Sequence, residues 1–187
     1  MHLPDHYLSD LVRTTTGVLA VIGLAAGTYF ARRRLSAPGS TRWTTPVVGA
    51  AIFALQMLNY PIDASTSGHV LGGLAAALLV GPMAAMWLLS TVLAVQAFAF
   101  GDGGVYALGA NVLNMAVVGV WSGWAVWRLT NRLGTNAASQ CARAGLAGWA
   151  SVQCEHALLR CGSDGRWTAR RRLHRRTVPR TCSDRHR

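Results

Sequence analysis

Long apolar stretches separated by short polar segments make up the first 134 residues of the chain. The first stretch runs from about Leu11 to Ala31, the second from Thr45 to Tyr60, and the last from about Tyr106 to Trp127. The stretch between them, Ser67 to Phe100, would form a helix of about 50 Å at 1.5 Å per residue. We expect Gly81-Pro82 to divide it, because proline interrupts helical hydrogen bonding. The pattern predicts an all-α membrane helix bundle with about five complete spans.

The distribution of charge supports this interpretation. No charged residue lies between Asp63 and Asp102, and none lies between Asp102 and Arg128. Each uncharged interval exceeds the roughly 20 apolar residues that a helix needs to cross a bilayer core. Charged residues make up 13% of the whole chain, against about 25% in a typical soluble domain. We therefore expect a multi-pass membrane protein.

Arginine placement predicts the orientation of the bundle. Five alternating crossings bring six arginines to one side: those at 32–34, 42, 128 and 132. The segments at the opposite ends of the spans hold aspartates and no arginine: Asp5, Asp10, Asp63 and Asp102. Because cytoplasmic loops are enriched in Lys and Arg, the N-terminus is expected outside, on the same side as His69.

The first two residues offer a compact metal chelate. The terminal amine of Met1, the backbone amide nitrogen of His2 and its imidazole can bind one ion once they are deprotonated. No basic region precedes the first apolar stretch, so we expect no cleavable signal peptide and both residues stay in place. His69 can complete a plane of four nitrogens. Such a plane favours nickel(II), copper(II) or low-spin cobalt(II) over zinc.

Simpler interpretations of these histidines exist. A histidine at position 2 is a coincidence in most proteins, and a helix-end histidine such as His69 often has only a packing role with a hydrogen bond. Histidine in or beside a membrane span is nevertheless costly, which makes His69 a functional candidate by default. The residue chemistry alone leaves a metal site and a packing role open.

Several blocks of the sequence resemble the CbiM/NikM family, the substrate-binding components of energy-coupling factor transporters for cobalt and nickel. The blocks are Met1-His2-Leu3-Pro4-Asp5, Gln56-Met57-Leu58-Asn59-Tyr60-Pro61, Thr66-Ser67-Gly68-His69-Val70-Leu71-Gly72-Gly73, Gly81-Pro82, Val95-Gln96-Ala97, and Gly101-Asp102-Gly103-Gly104 with residues 107–115. They follow the family order over about residues 1 to 134. The resemblance implies that Met1, His2 and His69 hold Co²⁺ or Ni²⁺ as the transported substrate, and it implies no other cofactor.

The resemblance also implies a division of labour in the bacterial cell membrane. This chain would capture metal outside, beside a small CbiN-type or NikN-type membrane subunit, a CbiQ-type coupling subunit and CbiO-type ATPases. Cobalt uptake of this kind would support cobalamin biosynthesis. The chain itself is not expected to be an enzyme, because it has no Gly-x-x-x-x-Gly-Lys-Ser/Thr loop for phosphate and no lysine at all.

Other polar residues could support the metal ligands. His6 stands where the family usually has glycine, and it is either an accessory ligand or a tolerated exposed side chain. Asp5, Asn59 and Ser67 could hydrogen-bond the ligands from outside the coordination sphere, or could serve only in capping, loops and interhelical contacts. For the other amides within the spans, interhelical hydrogen bonding is the default expectation: Gln56, Gln96, Asn111 and Asn114.

The last part of the chain differs in composition. Residues 135–152 begin a partial further span, whereas residues 153–187 are rich in Arg and Cys. After Gly134 lie 11 of the 18 arginines and all four cysteines, at 141, 154, 161 and 182. No Cys-x-x-Cys pair predicts a metal site there. We expect a disordered or frame-shifted tail, with the frame changing near Val152.

Other interpretations of this tail remain. Clustered arginines also bind anionic membrane lipid or nucleic acid nonspecifically, although no specific nucleic-acid partner is expected. The alternative for the whole chain is a truncated, non-functional or scaffold-like membrane protein of the same family.

Overall fold

A computed structural model of the chain describes residues 3, 8–35, 43–58, 60–63, 66–68, 70–132, 136–155 and 157. Helices account for most of these residues, as the apolar stretches predicted. In chain order they are α1 (Asp10–Leu35), α2 (Thr44–Gln56), α3 (Gly73–Val80), α4 (Pro82–Phe100), α5 (Leu108–Arg132) and α6 (residues 137–155). The last five residues of α4, Gln96–Phe100, and the segment Val112–Gly119 of α5 are π-helical.

Three of the described helices are long and apolar enough to cross a membrane: Asp10–Tyr29 within α1, and the whole of α4 and α5. By contrast, α2 has 13 residues and α3 has 8. At 1.5 Å per residue, α3 is about 12 Å long and cannot cross a bilayer core. The structure therefore confirms a helical membrane protein, while five complete spans and an external N-terminus remain predictions.

A short antiparallel hairpin, not predicted from the sequence, lies between α2 and α3. Strand β1 (Tyr60–Asp63) pairs with β2 (Thr66–Gly68), with Tyr60 opposite Gly68 and Pro61 opposite Ser67. The prediction of helix up to Tyr60, and again from Ser67, was wrong at these positions. Pro61 explains part of the difference, because proline disfavours the helical conformation of the residue before it.

The predicted break between the third and fourth apolar segments is confirmed. Gly81 separates α3 from α4 with φ 87° and ψ 154°, and Pro82 is the first residue of α4. A positive φ is readily available to glycine only. Proline suits the first helical turn, where its missing N–H has no partner to lose.

Glycines allow α1 to pack closely on its neighbours. A Cβ atom built on Gly109 of α5 would lie 2.5 Å from the Cα atom of Gly17 and 2.7 Å from its nitrogen. Six residues further along α1, a Cβ atom on Gly23 would lie 3.4 Å from Val117. Small residues at helix contacts are the expected packing mode in lipid. We call this contact, formed by Gly17, Gly23 and Gly109, the glycine seam.

Helix α6 packs antiparallel against α5. Near its start, Arg143 stacks its guanidinium 4.1 Å from the ring centroid of Trp127 and donates to the Trp127 carbonyl at 3.1 Å. Near its end, the Ser151 hydroxyl donates to the Gly119 carbonyl at 2.6 Å. The predicted partial span ended at residue 152, whereas the helix runs to residue 155. The tail from residue 158 onward lies outside the described residues.

Candidate metal site

Most of the residues predicted to form or support the metal site lie outside the described residues: Met1, His2, Asp5, His6, Asn59 and His69. Ser67 is described through its backbone, which pairs with Pro61 in the hairpin. The ligand set therefore stays a prediction. The described residues next to these positions show how the two histidine-bearing segments are attached to the bundle.

Leu3, the residue directly after His2, is hydrogen-bonded to residues that come more than 100 positions later in the chain. Its backbone N–H donates to Asn111 Oδ1 at 2.8 Å, and its carbonyl accepts from Asn111 Nδ2 at 3.3 Å. The N–H of Gly104 donates to the same carbonyl at 3.1 Å. Asn111 is only 3% exposed. A buried amide thus satisfies both backbone groups of Leu3, which removes the cost of burying them unpaired.

Two further buried amides, those of Gln56 and Gln96, hold the chain just after His69. Gln56 of α2 donates through Nε2 to the carbonyl of Leu71 at 2.8 Å. Gln96 of α4 donates through Nε2 to Gln56 Oε1 at 3.1 Å. Both glutamines are 0% exposed. Gln56 replaces the backbone donor that the Leu71 carbonyl would have in a helix, since α3 begins only at Gly73.

The loop after α4 connects the hydrogen bonds of Leu3 with those of the Gln56–Gln96 pair. The N–H of Asp102 donates to the carbonyl of Gln96 at 3.1 Å, two residues before Gly104 makes its bond to Leu3. Gly101 has φ 65° and Gly103 has φ 95°, so the loop needs glycine at both positions. Hydrogen bonds and this four-residue loop therefore link Leu71 to Leu3 without interruption.

The chemistry of this polar layer is that of neutral amides. Among the residues that the structure describes, no three His, Cys, Asp or Glu side chains come together in a way that could hold a metal ion. Two amide oxygens in the described core have no hydrogen-bond partner, Gln96 Oε1 and Asn114 Oδ1. The described layer can orient neighbouring segments, and among the residues that the structure describes it brings together no group of metal-binding side chains.

Sequence reasoning assigned these amides only to interhelical hydrogen bonding. The Gln56–Gln96 bond fits that expectation, but the contacts of Asn111 with Leu3 and of Gln56 with Leu71 were missed. The available signal was the presence of amides in apolar spans, where an unpaired polar group is costly. Which backbone groups they satisfy depends on contacts over as many as 108 residues of sequence, and no local pattern reveals such contacts.

Comparison with known proteins places these observations in a family. Residues 2–161 match the family model CbiM, described as cobalt uptake substrate-specific transmembrane region. The fused nickel transport protein NikMN of Rhodobacter capsulatus is 40% identical over 134 residues, which are 71% of this chain and 38% of that protein. A protein of Archaeoglobus fulgidus that also bears the name NikMN is 41% identical over 152 residues.

The fold has a counterpart among solved structures. A crystal structure of a transition metal transporter superposes with a TM-score of 0.74 and 30% sequence identity, covering 83% of this chain and 66% of that one. This chain spans only about half of the Archaeoglobus fulgidus protein, or 48% of its length. The family match also continues nine residues beyond Val152, where the sequence predicted that family-like character ends. Since most of its length matches the family model, the chain belongs to the CbiM family of substrate-specific transmembrane components of cobalt uptake.

Proposed function

We propose that this chain binds Co²⁺ or Ni²⁺ as a transported substrate at the outer face of the bacterial cytoplasmic membrane. The metal is held by the amine of Met1, the amide nitrogen and imidazole of His2, and the imidazole of His69. Asp5, Asn59 and Ser67 support these ligands from outside the coordination sphere, and His6 is either an accessory ligand or a tolerated exposed side chain. The family assignment supports transport of this metal class.

One structural observation carries the choice of site. Three hydrogen bonds attach the backbone of Leu3 to the bundle, two with the Asn111 side chain and one with the N–H of Gly104. Chain termini are usually poorly ordered unless they are tied down, and these bonds tie residue 3, which directly follows His2, to the bundle. Because Leu3 is attached to the bundle, a metal held by the two residues before it would cost less chain entropy than a metal held by an unattached segment.

The transport cycle needs other subunits. The fused relatives carry a name that combines M and N components, which supports a small N-type membrane subunit beside this chain. We further propose a CbiQ-type coupling subunit and CbiO-type ATPases, which hydrolyse ATP. If the substrate is cobalt, uptake would supply cobalamin biosynthesis.

Metal content tests this proposal directly. The parent protein, purified in detergent and loaded with Ni²⁺ or Co²⁺, should retain about one ion per chain, because one nitrogen plane holds one ion. His2→Ala and His69→Ala should each lose it, as should a form with two extra residues before Met1, since its terminal amine is displaced. His156→Ala is the matched control and should bind as the parent does. Metal that survives all three changes would show that these ligands are wrong.

A further inference from the structure

Two segments without helical structure flank the proposed ligands, and buried amides hold each of them. Asn111 binds both backbone groups of Leu3, one residue after His2. The Gln96–Gln56 pair binds the carbonyl of Leu71, two residues after His69. Outside regular helices, backbone groups can take many positions, so these side chains decide where the two segments lie relative to each other.

The two contacts are parts of one connected unit. Gln96 uses its side chain for Gln56 and its carbonyl for Asp102, and Gly104 of the same loop donates to Leu3. We call this unit the amide layer: Leu3, Gln56, Leu71, Gln96, the loop 101–104 and Asn111. Both Gln96 and Asn111 are almost completely buried, at 0% and 3% exposed. Displacing one segment would therefore strain the attachment of the other.

We propose that Gln56, Gln96 and Asn111 are positioning residues that set the metal selectivity of the site. This inference rests on the proposed function, because it assumes that residues 2 and 69 supply the nitrogens. If these residues supply four nitrogens, a fixed spacing between the attached residues Leu3 and Leu71 would favour one planar arrangement of those nitrogens. Nickel(II) accepts that plane, whereas zinc prefers a tetrahedral arrangement of its ligands. The amide layer thus favours nickel, because it resists the rearrangement to a tetrahedral site that zinc requires.

Selectivity separates this role from a purely structural one. Losing a buried hydrogen bond lowers stability in either case, but a structural role leaves the ratio of zinc and nickel dissociation constants unchanged. Replacing both glutamines with leucine removes both partners of the Gln56–Gln96 bond, which is often nearly neutral for stability, and leaves only the Leu71 carbonyl without its partner. The double variant should fold with a smaller loss of stability than Gln56→Leu alone and still be less selective than the parent.

The experiment compares the parent with Gln96→Leu, Asn111→Leu, the Gln56→Leu/Gln96→Leu double variant and Ser90→Ala. Ser90 is the matched control because it is also buried in α4 and bonds only within its own helix, to the Met86 carbonyl at 2.8 Å. Nickel and zinc dissociation constants are measured by competition titration in detergent, together with the visible absorption of bound Ni²⁺. Partners that hydrogen-bond metal ligands directly are typically worth 10- to 100-fold in affinity, and the amides, which bond neighbours of the proposed ligands, are expected at the lower end of that range.

We expect the preference for nickel over zinc to fall about 10-fold in the three amide variants, with the absorption of bound Ni²⁺ shifting away from that of a planar site. Ser90→Ala should keep the parent's values. Parent-like selectivity and absorption in the amide variants would overturn this inference and leave the proposed function intact. A parent protein that binds neither ion would overturn the proposed function, and this inference with it.

Discussion

The amide layer and the glycine seam are both contacts between distant parts of the chain, but they hold different things. The amide layer attaches two irregular segments to the bundle through directional bonds to backbone groups, such as those of Leu3 and Leu71. The glycine seam holds two regular helices together through close van der Waals approach of Gly17 and Gly109. Changes in the first should therefore alter metal geometry, whereas changes in the second should alter stability alone.

The contact between α5 and α6 belongs with the seam in this comparison. It also joins two regular helices, although Arg143 and Ser151 donate across it to backbone carbonyls of α5. We expect substitutions there to change stability without changing the preference for nickel over zinc.

The largest effect on stability is expected from Gly109→Ala. The added Cβ atom would lie 2.5 Å from Gly17 Cα, so α1 and α5 must separate, which costs about 1–3 kcal/mol of unfolding free energy. Gly145→Ala in α6 is the matched control because a Cβ atom there meets nothing within 4 Å. That variant should gain about 0.5–1 kcal/mol from lower unfolded-state entropy.

Thermal unfolding in one detergent would measure both variants, and each would then be loaded with metal. Nickel bound per folded chain, and its selectivity against zinc, should match the parent. A Gly109→Ala protein that is stable but unselective would contradict the separation of the two regions.

A smaller effect is expected from Arg143→Lys in the α5–α6 contact. Arg143 is 4% exposed, stacks on Trp127 and donates to both the Trp127 carbonyl and Asn131 Oδ1. Lysine keeps the charge but lacks the planar fork that makes these contacts together. We expect a loss of about 1–2 kcal/mol, because lysine can keep part of the roughly 1.5–3 kcal/mol that hydrogen bonds to charged groups contribute.

Arg128→Lys on the exposed face of α5 provides the control for that substitution. It should leave the midpoint of thermal unfolding unchanged. Equal destabilisation by the two changes would mean that α6 is not held by Arg143.

The smallest effect should come from Ser151→Ala. This variant loses the 2.6 Å bond from the hydroxyl to the Gly119 carbonyl and the longer 3.4 Å contact with Glu155 Oε1, at a cost of about 0.5–1.5 kcal/mol. Ser122→Ala is the control, because the Ser122 hydroxyl bonds only to carbonyls of its own helix. A difference in midpoint between the two variants, at unchanged nickel selectivity, would support α6 as a packed part of the bundle.

The local sequence was sufficient to predict most of the helices and several of the positions where they end. Apolar length predicts where spans can form because lipid offers no hydrogen-bond partners to an unpaired backbone. Gly81 and Pro82 likewise predict a break from their own covalent structure. The hairpin at 60–68 was not predicted, because four- and three-residue strands leave too short a pattern to distinguish from the end of a span.

The sequence by itself determined that this chain is a membrane protein with an apolar body, and which family its motifs resemble, since both depend on residue types in order. Only the tertiary structure decided that Asn111 binds Leu3 and that Gln56 joins Gln96 to Leu71. Any of these amides could bond to many backbone groups with similar energy. The packing of α2, α4 and α5 selects among them, because it alone sets which groups are buried together.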